Sequence, residues 1–356
     1  MSLNKFLFKN YFVCASTLCL LLFLSACSNE HHGPQVSGDT MGTSYSMQWH
    51  GEAKSVKIKS IRLAAEQRLL EINQLMSTYI PDSQLSLFNA QDHSGWFAAD
   101  AELVHVLDQA YSISKVSKGA FDITVGPLVN LWGFGAQLEG FVFPSAAEVR
   151  IAKLTLDWER IKTRQQPLSI FKPAENVYVD LSAIAKGYAV DQLAMLLDEF
   201  EIENYMVEIG GEVRVKGRNA QGKFWRIAIE SPKSQMGSTD LSKVLDLSNT
   251  SLATSGNYRN FFIKDGKKYS HTINTTTGRP MPNKLGSVSV VDARGCMQAD
   301  ALATALMVMG LDKALKFANE RGIAAYFIYM DDGPSGQAFA SVESSKFKML
   351  FPKVDK

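Results

Sequence analysis

Cysteine and excess charge are both scarce in this chain. Its 356 residues include four cysteines, Cys14, Cys19, Cys27 and Cys296, and no two of them form a C-x-x-C pair. A zinc site of the ribbon or finger type is thereby excluded. Lys and Arg number 37 against 36 Asp and Glu, a formal net charge of +1. That balance, with no basic run interleaved with aromatics, argues against a nucleic-acid partner. Neither G-x-G-x-x-G nor G-x-x-x-x-G-K-[ST] occurs, so no Rossmann turn or P-loop is indicated. The chain also lacks internal repeats and low-complexity segments. With 46% hydrophobic and 21% charged residues, it has the composition of a globular protein.

What is present begins with an export signal. Lys5 and Lys9 form a basic n-region, Tyr11 to Phe23 an apolar h-region, and "LSAC" (Leu24 to Cys27) follows. The apolar run is too short for a membrane span and has the flanks of a secretory signal. Small residues before a cysteine resemble the bacterial lipobox, in which Cys27 is lipidated and becomes the mature N-terminus. The alternative is an ordinary signal cleaved nearby, with Cys27 a free thiol. Acyl chains would tether the protein to a membrane without spanning it. Ser28 is not the aspartate associated with inner-membrane retention, which leaves inner and outer membrane both open on the periplasmic side. Cys14 and Cys19 leave with the signal and Cys27 carries lipid, so Cys296 has no partner for an intramolecular disulfide. The expected organisation is a signal peptide over 1–26, a polar tether over 27–37 and one folded domain over 38–356.

Helical periodicity runs through 56–76 (Ile58, Ile61, Leu69, Ile72, Leu75, Met76), 101–117, 183–200 and 311–321. Strand-like runs fall at 205–209, 213–217, 224–230, 244–247, 258–263, 286–292 and 323–330. The expected fold class is therefore α+β, with mixed or antiparallel sheets flanked by helices and a site set between two subdomains. Stretches 138–148 and 231–240, rich in Gly, Pro and Ser, read as loops or a subdomain seam.

"QADALATALMVMG" (298–310) reads as a buried helix, apolar nearly all round, yet Asp300 and Thr304 stand on one face a turn apart. A buried carboxylate needs a cation. "YVDLSAIAKGYAVD" (178–191) runs from a short strand into a helix with Ser182 as the expected N-cap, Ala183 in the first turn and Lys186 one turn in. Helix starts favour anions, but alone this is a capped helix with a solvated lysine. "YSHTINTTTGRPM" (269–281) places His271 among hydroxyls and Arg279, neighbours suited to proton transfer and phosphate handling. "GAFDITVGPLVNLWGFG" (119–135) reads either as backbone wrapped around a flat ligand or as a packed irregular loop. "VEIGGEVRVKG" (207–217) reads as a hairpin turning at Gly210–Gly211.

Together with "GDTMGTSYS" (38–46), "MSTY" (76–79) and "ATSGNYRNFF" (253–262), these motifs occur in the order found in the ApbE family. The chain resembles that family of FAD:protein FMN transferases from about Gly38 to its C-terminal strands. The resemblance implies that Met41, Tyr79, Ala120, Phe121, Asp122, Asp180, Lys186 and Ile273 hold FAD. It implies that the Ala183 carbonyl, Asp300 and Thr304 ligate Mg²⁺, a hard cation that takes oxygen donors. It assigns His271 to activation of the acceptor. Some relatives carry a second acidic residue in the metal helix, where this chain has Ala303. The implied reaction is Mg²⁺-dependent transfer of FMN from FAD to a threonine hydroxyl of an acceptor protein, with release of AMP. Implied acceptors include flavin-bearing subunits of sodium-translocating NADH:quinone reductase or the Rnf complex. Hydrolysis of FAD to FMN and AMP, or flavin storage without turnover, are the other readings.

Overall fold

The computed structural model describes residues 33–50, 55–135, 143–231, 241–257, 261–264, 267–282, 284–333 and 336–352. The signal peptide and Cys27 lie outside the described residues, as do most of the tether, 258–260, and the greater part of the two expected loops. Gly33–Lys356 forms one compact unit rather than two subdomains. The first described strand, Gln35–Thr40, includes the last three positions expected of the tether.

An eight-stranded sheet organises the unit. Its spatial order is Gln35–Thr40, Thr43–His50, Asn204–Ile209, Glu212–Lys216, Thr250–Gly256, Leu285–Asp292, Ala324–Gly333 and Gly336–Glu343. Every neighbouring pair is antiparallel. Two-residue alternation sorts its side chains into two cores. Tyr205, Val207, Ile209, Val288, Val290, Ala325 and Phe327 join the core beneath the helices. Val213, Val215, Leu252, Val291, Ala324, Tyr326 and Ile328 face the other way. There they meet Trp225, Ile227, Ile229, Leu245 and Leu247 of a second, two-stranded sheet, Trp225–Glu230 paired with Leu241–Leu247. The result is three layers: small sheet, large sheet, helices.

The helical layer contains Ser55–Met76, Ala101–Ser117, Ala185–Glu199 and Cys296–Met309. Among the described residues no helix is long and apolar enough to cross a membrane. The Cys296–Met309 helix is alanine-rich and buried on all sides, including Ala299, Ala301, Ala303 and Ala305, which lets it lie close to its neighbours. It ends at Gly310, where φ is 74°, a conformation glycine adopts without strain.

The strand Glu212–Lys216 and the helix Ala185–Glu199 are joined by ion pairs in register. Val213 and Val215 face the small sheet, so Glu212, Arg214 and Lys216 face the helix. They meet Lys186 at 2.6 Å, Asp191 at 2.8 Å and Asp198 at 2.9 Å. The ladder runs from exposed at Lys216 to buried at Glu212. Its buried end is where the cavity lies.

Candidate active site

A cavity of about 1320 Å³ opens at one end of the large sheet. Met41, Tyr79, Ala120, Phe121, Asp122, Asp180, Ala183, Lys186, His271, Ile273, Asp300 and Thr304, the residues singled out from the sequence, all line it. They come from segments far apart in the chain, and each is placed by a local cause.

Two tight hairpin turns form one wall. Thr40 pairs with Thr43 across Met41–Gly42, whose φ values are 50° and 71°. Positive φ at both central residues is the two-residue turn that matches strand twist; a non-glycine residue there, Met41, is strained. Ile209 pairs with Glu212 across Gly210–Gly211, with φ of 60° and 104°. A Cβ at Gly210 would stand 2.8 Å from Thr43 Cγ2, so only glycine lets the two turns nest.

A further wall is the 119–135 segment, part of it packed as core and part lining the cavity. Trp132 is fully buried with Leu128, Val149 and Ile273, and its Nε1 donates to the Gly278 carbonyl at 2.8 Å. Ala120, Phe121, Asp122, Phe134 and Gly135 line the cavity. Asp122 Oδ1 accepts from Thr124 N at 2.7 Å and from its Oγ1 at 2.5 Å. Burial raises the Asp122 carboxyl above its ordinary range, and the Thr124 bonds pull it back. Thr275 Oγ1 donates to the Gly119 carbonyl at 2.9 Å, tying the His271 segment to this wall. His271 sits edge-on to Phe134, with ring centroids 6.4 Å apart. Tyr79 lies at the rim and is 63% exposed.

The floor is where two helices start. Ser182 is not the N-cap expected for the first. Its N–H and Oγ both donate to Asp180 Oδ1, at 2.8 and 2.6 Å. The helix begins at Ala185, after Ile184, which has no side-chain cap. Ala183 therefore precedes the helix and Lys186 occupies its first turn. Gly187 N–H donates to Asp300 Oδ2 at 3.0 Å and not to the Ala183 carbonyl four residues earlier. Asp300 thus caps the neighbouring helix, which gives it a structural role in the absence of any cation. Its other oxygen, Oδ1, accepts no hydrogen bond from a described residue. Thr304 Oγ1 lies 2.8 Å from Ser255 Oγ. A carboxylate oxygen, a hydroxyl and a backbone carbonyl not used by its helix all border one cavity, the donor chemistry of a hard divalent cation. Among the described residues no cluster of three His, Cys, Asp or Glu side chains suits a metal, so any cation here relies on these mixed oxygen donors. Ala303, in place of a second acid, is fully buried in the core.

Charge sharpens the point. Six lining carboxylates, Asp122, Asp180, Glu208, Glu212, Glu230 and Asp300, stand against one lining ammonium, Lys186. Burial pushes Glu212 and Asp300 up from their usual carboxylate range, while Lys186 draws both down. Sequence reading missed Glu212, Ser255 and Asp191. The legible signal for Glu212 was the alternation Glu212, Arg214, Lys216 opposite Lys186, Asp191 and Asp198, opposite signs at strand and helix spacing.

Proteins of known structure share this architecture. The flavin transferase ApbE from Vibrio cholerae superposes with a TM-score of 0.79 at 40% identity, covering 88% of this chain and 98% of that one. The Pseudomonas stutzeri flavinyl transferase ApbE, in its apo form, gives 0.80 at 33% identity over 90% and 97%. Among curated proteins, the FAD:protein FMN transferase of Vibrio cholerae is 41% identical over 337 residues, 94% of this chain and 98% of its own length. That of Haemophilus influenzae is 39% identical over 342 residues, 94% and 96% respectively. The fold is thus one shared with transferase enzymes. The chain belongs to the ApbE family, whose model matches residues 41–327.

Proposed function

We propose that this chain transfers FMN from FAD to a threonine hydroxyl of an acceptor protein, at a site that uses Mg²⁺. It is an enzyme, a transferase of the ApbE family with FAD as its substrate. The observation that carries the site reading is the convergence on one cavity of Lys186, the Asp300–Thr304 oxygen pair and His271. Flavin storage requires none of the diphosphate chemistry these residues offer.

Lys186 binds a phosphate oxygen as a point charge, held by Glu212 on its far side. Tyr79 lies along the isoalloxazine ring, and Met41, Ala120, Phe121 and Ile273 bury its apolar surface. Asp122 and Asp180 fix the polar edges. The Ala183 carbonyl, Asp300 and Thr304 would hold Mg²⁺, which neutralises diphosphate charge in a cavity otherwise rich in carboxylates and eases the departure of AMP. His271 takes the proton of the threonine hydroxyl as its oxygen bonds to the phosphorus on the riboflavin side. The bond from that phosphorus to the bridging oxygen breaks, and AMP leaves with the bridging oxygen. FMN remains in phosphoester linkage.

Acceptors of the kind expected are flavin-bearing subunits such as those of sodium-translocating NADH:quinone reductase or the Rnf complex. The chain acts on the periplasmic side of a bacterial membrane, anchored through lipid on Cys27. Incubating the mature protein with FAD, Mg²⁺ and such a subunit, then weighing the subunit, tests the reading. A gain of one FMN with equimolar AMP supports transfer. Release of free FMN and AMP with an unmodified subunit makes the chain a pyrophosphatase instead.

A further inference from the structure

The two helices at the cavity floor exchange caps. Neither carries a capping side chain of its own. Asp300, on the second helix, accepts Gly187 N–H in the first turn of the first. Asp191, on the first, accepts Cys296 N–H on Oδ1 at 2.8 Å and Met297 N–H on Oδ2 at 2.9 Å. Arg214 of the large sheet holds Oδ1 from the other side at 2.8 Å.

Asp191 lies one turn beyond Gly187, so both stand on the helix face that meets Cys296 and Met297. The approach there is close: a Cβ at Gly187 would fall 2.5 Å from the Cys296 carbonyl oxygen. A side chain at Gly295 would crowd the same carboxylate, since a Cβ there would stand 2.7 Å from Asp191 Oδ2. Two bonds to two successive N–H groups, one per carboxylate oxygen, fix both the height of the second helix and its rotation about its axis. Asp300 follows one turn later and Thr304 a turn after that.

We infer that Asp191 is a positioning residue for transfer: through the first turn of the Cys296–Met309 helix, it sets Asp300 and Thr304 relative to Ala183 and Lys186. The inference rests on the reading of Asp300 and Thr304 as cation ligands. It makes cation affinity, rather than fold stability alone, depend on a carboxylate that touches neither cation nor flavin.

The test compares the full mature chain with Asp191→Ala, Asp191→Asn and Phe347→Leu. Phe347 is buried in the core between the two sheets and serves as a control for lost stability. Melting temperature is measured with no addition, with Mg²⁺ alone and with FAD alone, and FMN transfer is titrated with Mg²⁺. Asp191→Ala should raise the Mg²⁺ concentration for half-maximal transfer about 10- to 100-fold and lose the Mg²⁺-induced rise in melting temperature. Asp191→Asn, which keeps one accepting oxygen, should fall between it and the parent. Phe347→Leu should melt lower with an unchanged Mg²⁺ requirement. If Asp191→Ala melts lower but keeps the parental Mg²⁺ requirement, Asp191 is only structural and the inference falls. If Asp191→Ala cannot be purified, Asp191→Asn decides by the same comparison. A parent whose melting and transfer ignore Mg²⁺ overturns the underlying cation reading, an outcome read without any variant.

Discussion

Replacing Gly187 with alanine changes one hydrogen for one methyl at a close approach between the two helices of the cavity floor. On a helix surface that change is stabilising, by up to about 1 kcal/mol, because alanine is the better helix former. Here the new Cβ would lie 2.5 Å from the Cys296 carbonyl oxygen and 2.7 Å from both the Cys296 carbonyl carbon and Met297 Cα, where ordinary contact starts at 3.4 Å. All three are backbone atoms, so no side chain can swing aside and the helices must part by about 0.9 Å, the difference between 2.5 and 3.4 Å. Overpacking of this kind costs about 1–3 kcal/mol. Stretching the 3.0 Å bond from Gly187 N–H to Asp300 adds about 1 kcal/mol. Strain exceeds propensity, leaving a net loss of about 1–3 kcal/mol, or a fall of about 1.5–4.5 °C in melting temperature for a domain of this size. The same displacement separates Lys186 from Asp300, and misplacement by about 1 Å lowers rate by about 10²-fold. Scanning calorimetry and in-gel flavin fluorescence of the acceptor measure the two effects. An alanine variant that melts and transfers like the parent would show that the helices are not locked here, and the account of this floor would be wrong.

Three further outcomes concern the site and one the anchor. His271→Ala should bind FAD and Mg²⁺ nearly as the parent does while transfer falls about 10²-fold or more; a parental rate removes histidine from the chemistry. Tyr79→Ala should weaken FAD binding in calorimetric titration without changing the melting temperature of the flavin-free protein, since its ring is largely exposed; equal affinity refutes the stacking role. Asp300→Asn should abolish Mg²⁺-dependent transfer while its amide oxygen can still accept from Gly187 N–H; Thr304→Val should reduce transfer less severely, and retained Mg²⁺-dependent transfer in the first variant contradicts the ligand assignment. Cys27→Ser should release the protein from membranes or block its maturation, and unchanged fractionation with an unmodified parental N-terminus refutes the anchor.

The helices of this fold were the most legible part of its sequence. Ala101–Ser117 and Leu311–Arg321 have the bounds that periodicity predicts, because apolar residues at helical spacing face a single core. The helix Ala185–Glu199 was misread at its start, because Ser182 spends its hydrogen bonds on Asp180 and the true cap comes from a residue more than a hundred positions away. Capping in trans leaves no local mark. Strand Thr250–Gly256 escaped notice for a similar reason. Its small and hydroxylic residues lack the usual β signature, and it is held in place by partners on both sides. The candidate site residues were found through family motifs. What those motifs did not mark were the residues that hold others still, Glu212 and Asp191. Their meaning depends on pairing across elements, and a linear pattern shows it only once the strand's facing direction is known.

The order of strands in the large sheet also governs when the cavity can exist. Thr43–His50 is wedged between its own hairpin partner and Asn204–Ile209, so the turn bearing Met41 has no settled place until the chain beyond residue 200 has folded. The His271 segment and the Asp300–Thr304 half of the floor come later still, between Thr254 and Val308. Pairings so distant in sequence form slowly and together. A fragment that ends before residue 254 lacks the His271, Asp300 and Thr304 part of the cavity lining. A ligand that binds only the finished cavity stabilises the whole chain at once, by about 2.7 kcal/mol at a hundred times its dissociation constant. Flavin is then a reporter of complete folding, silent toward every partly folded chain.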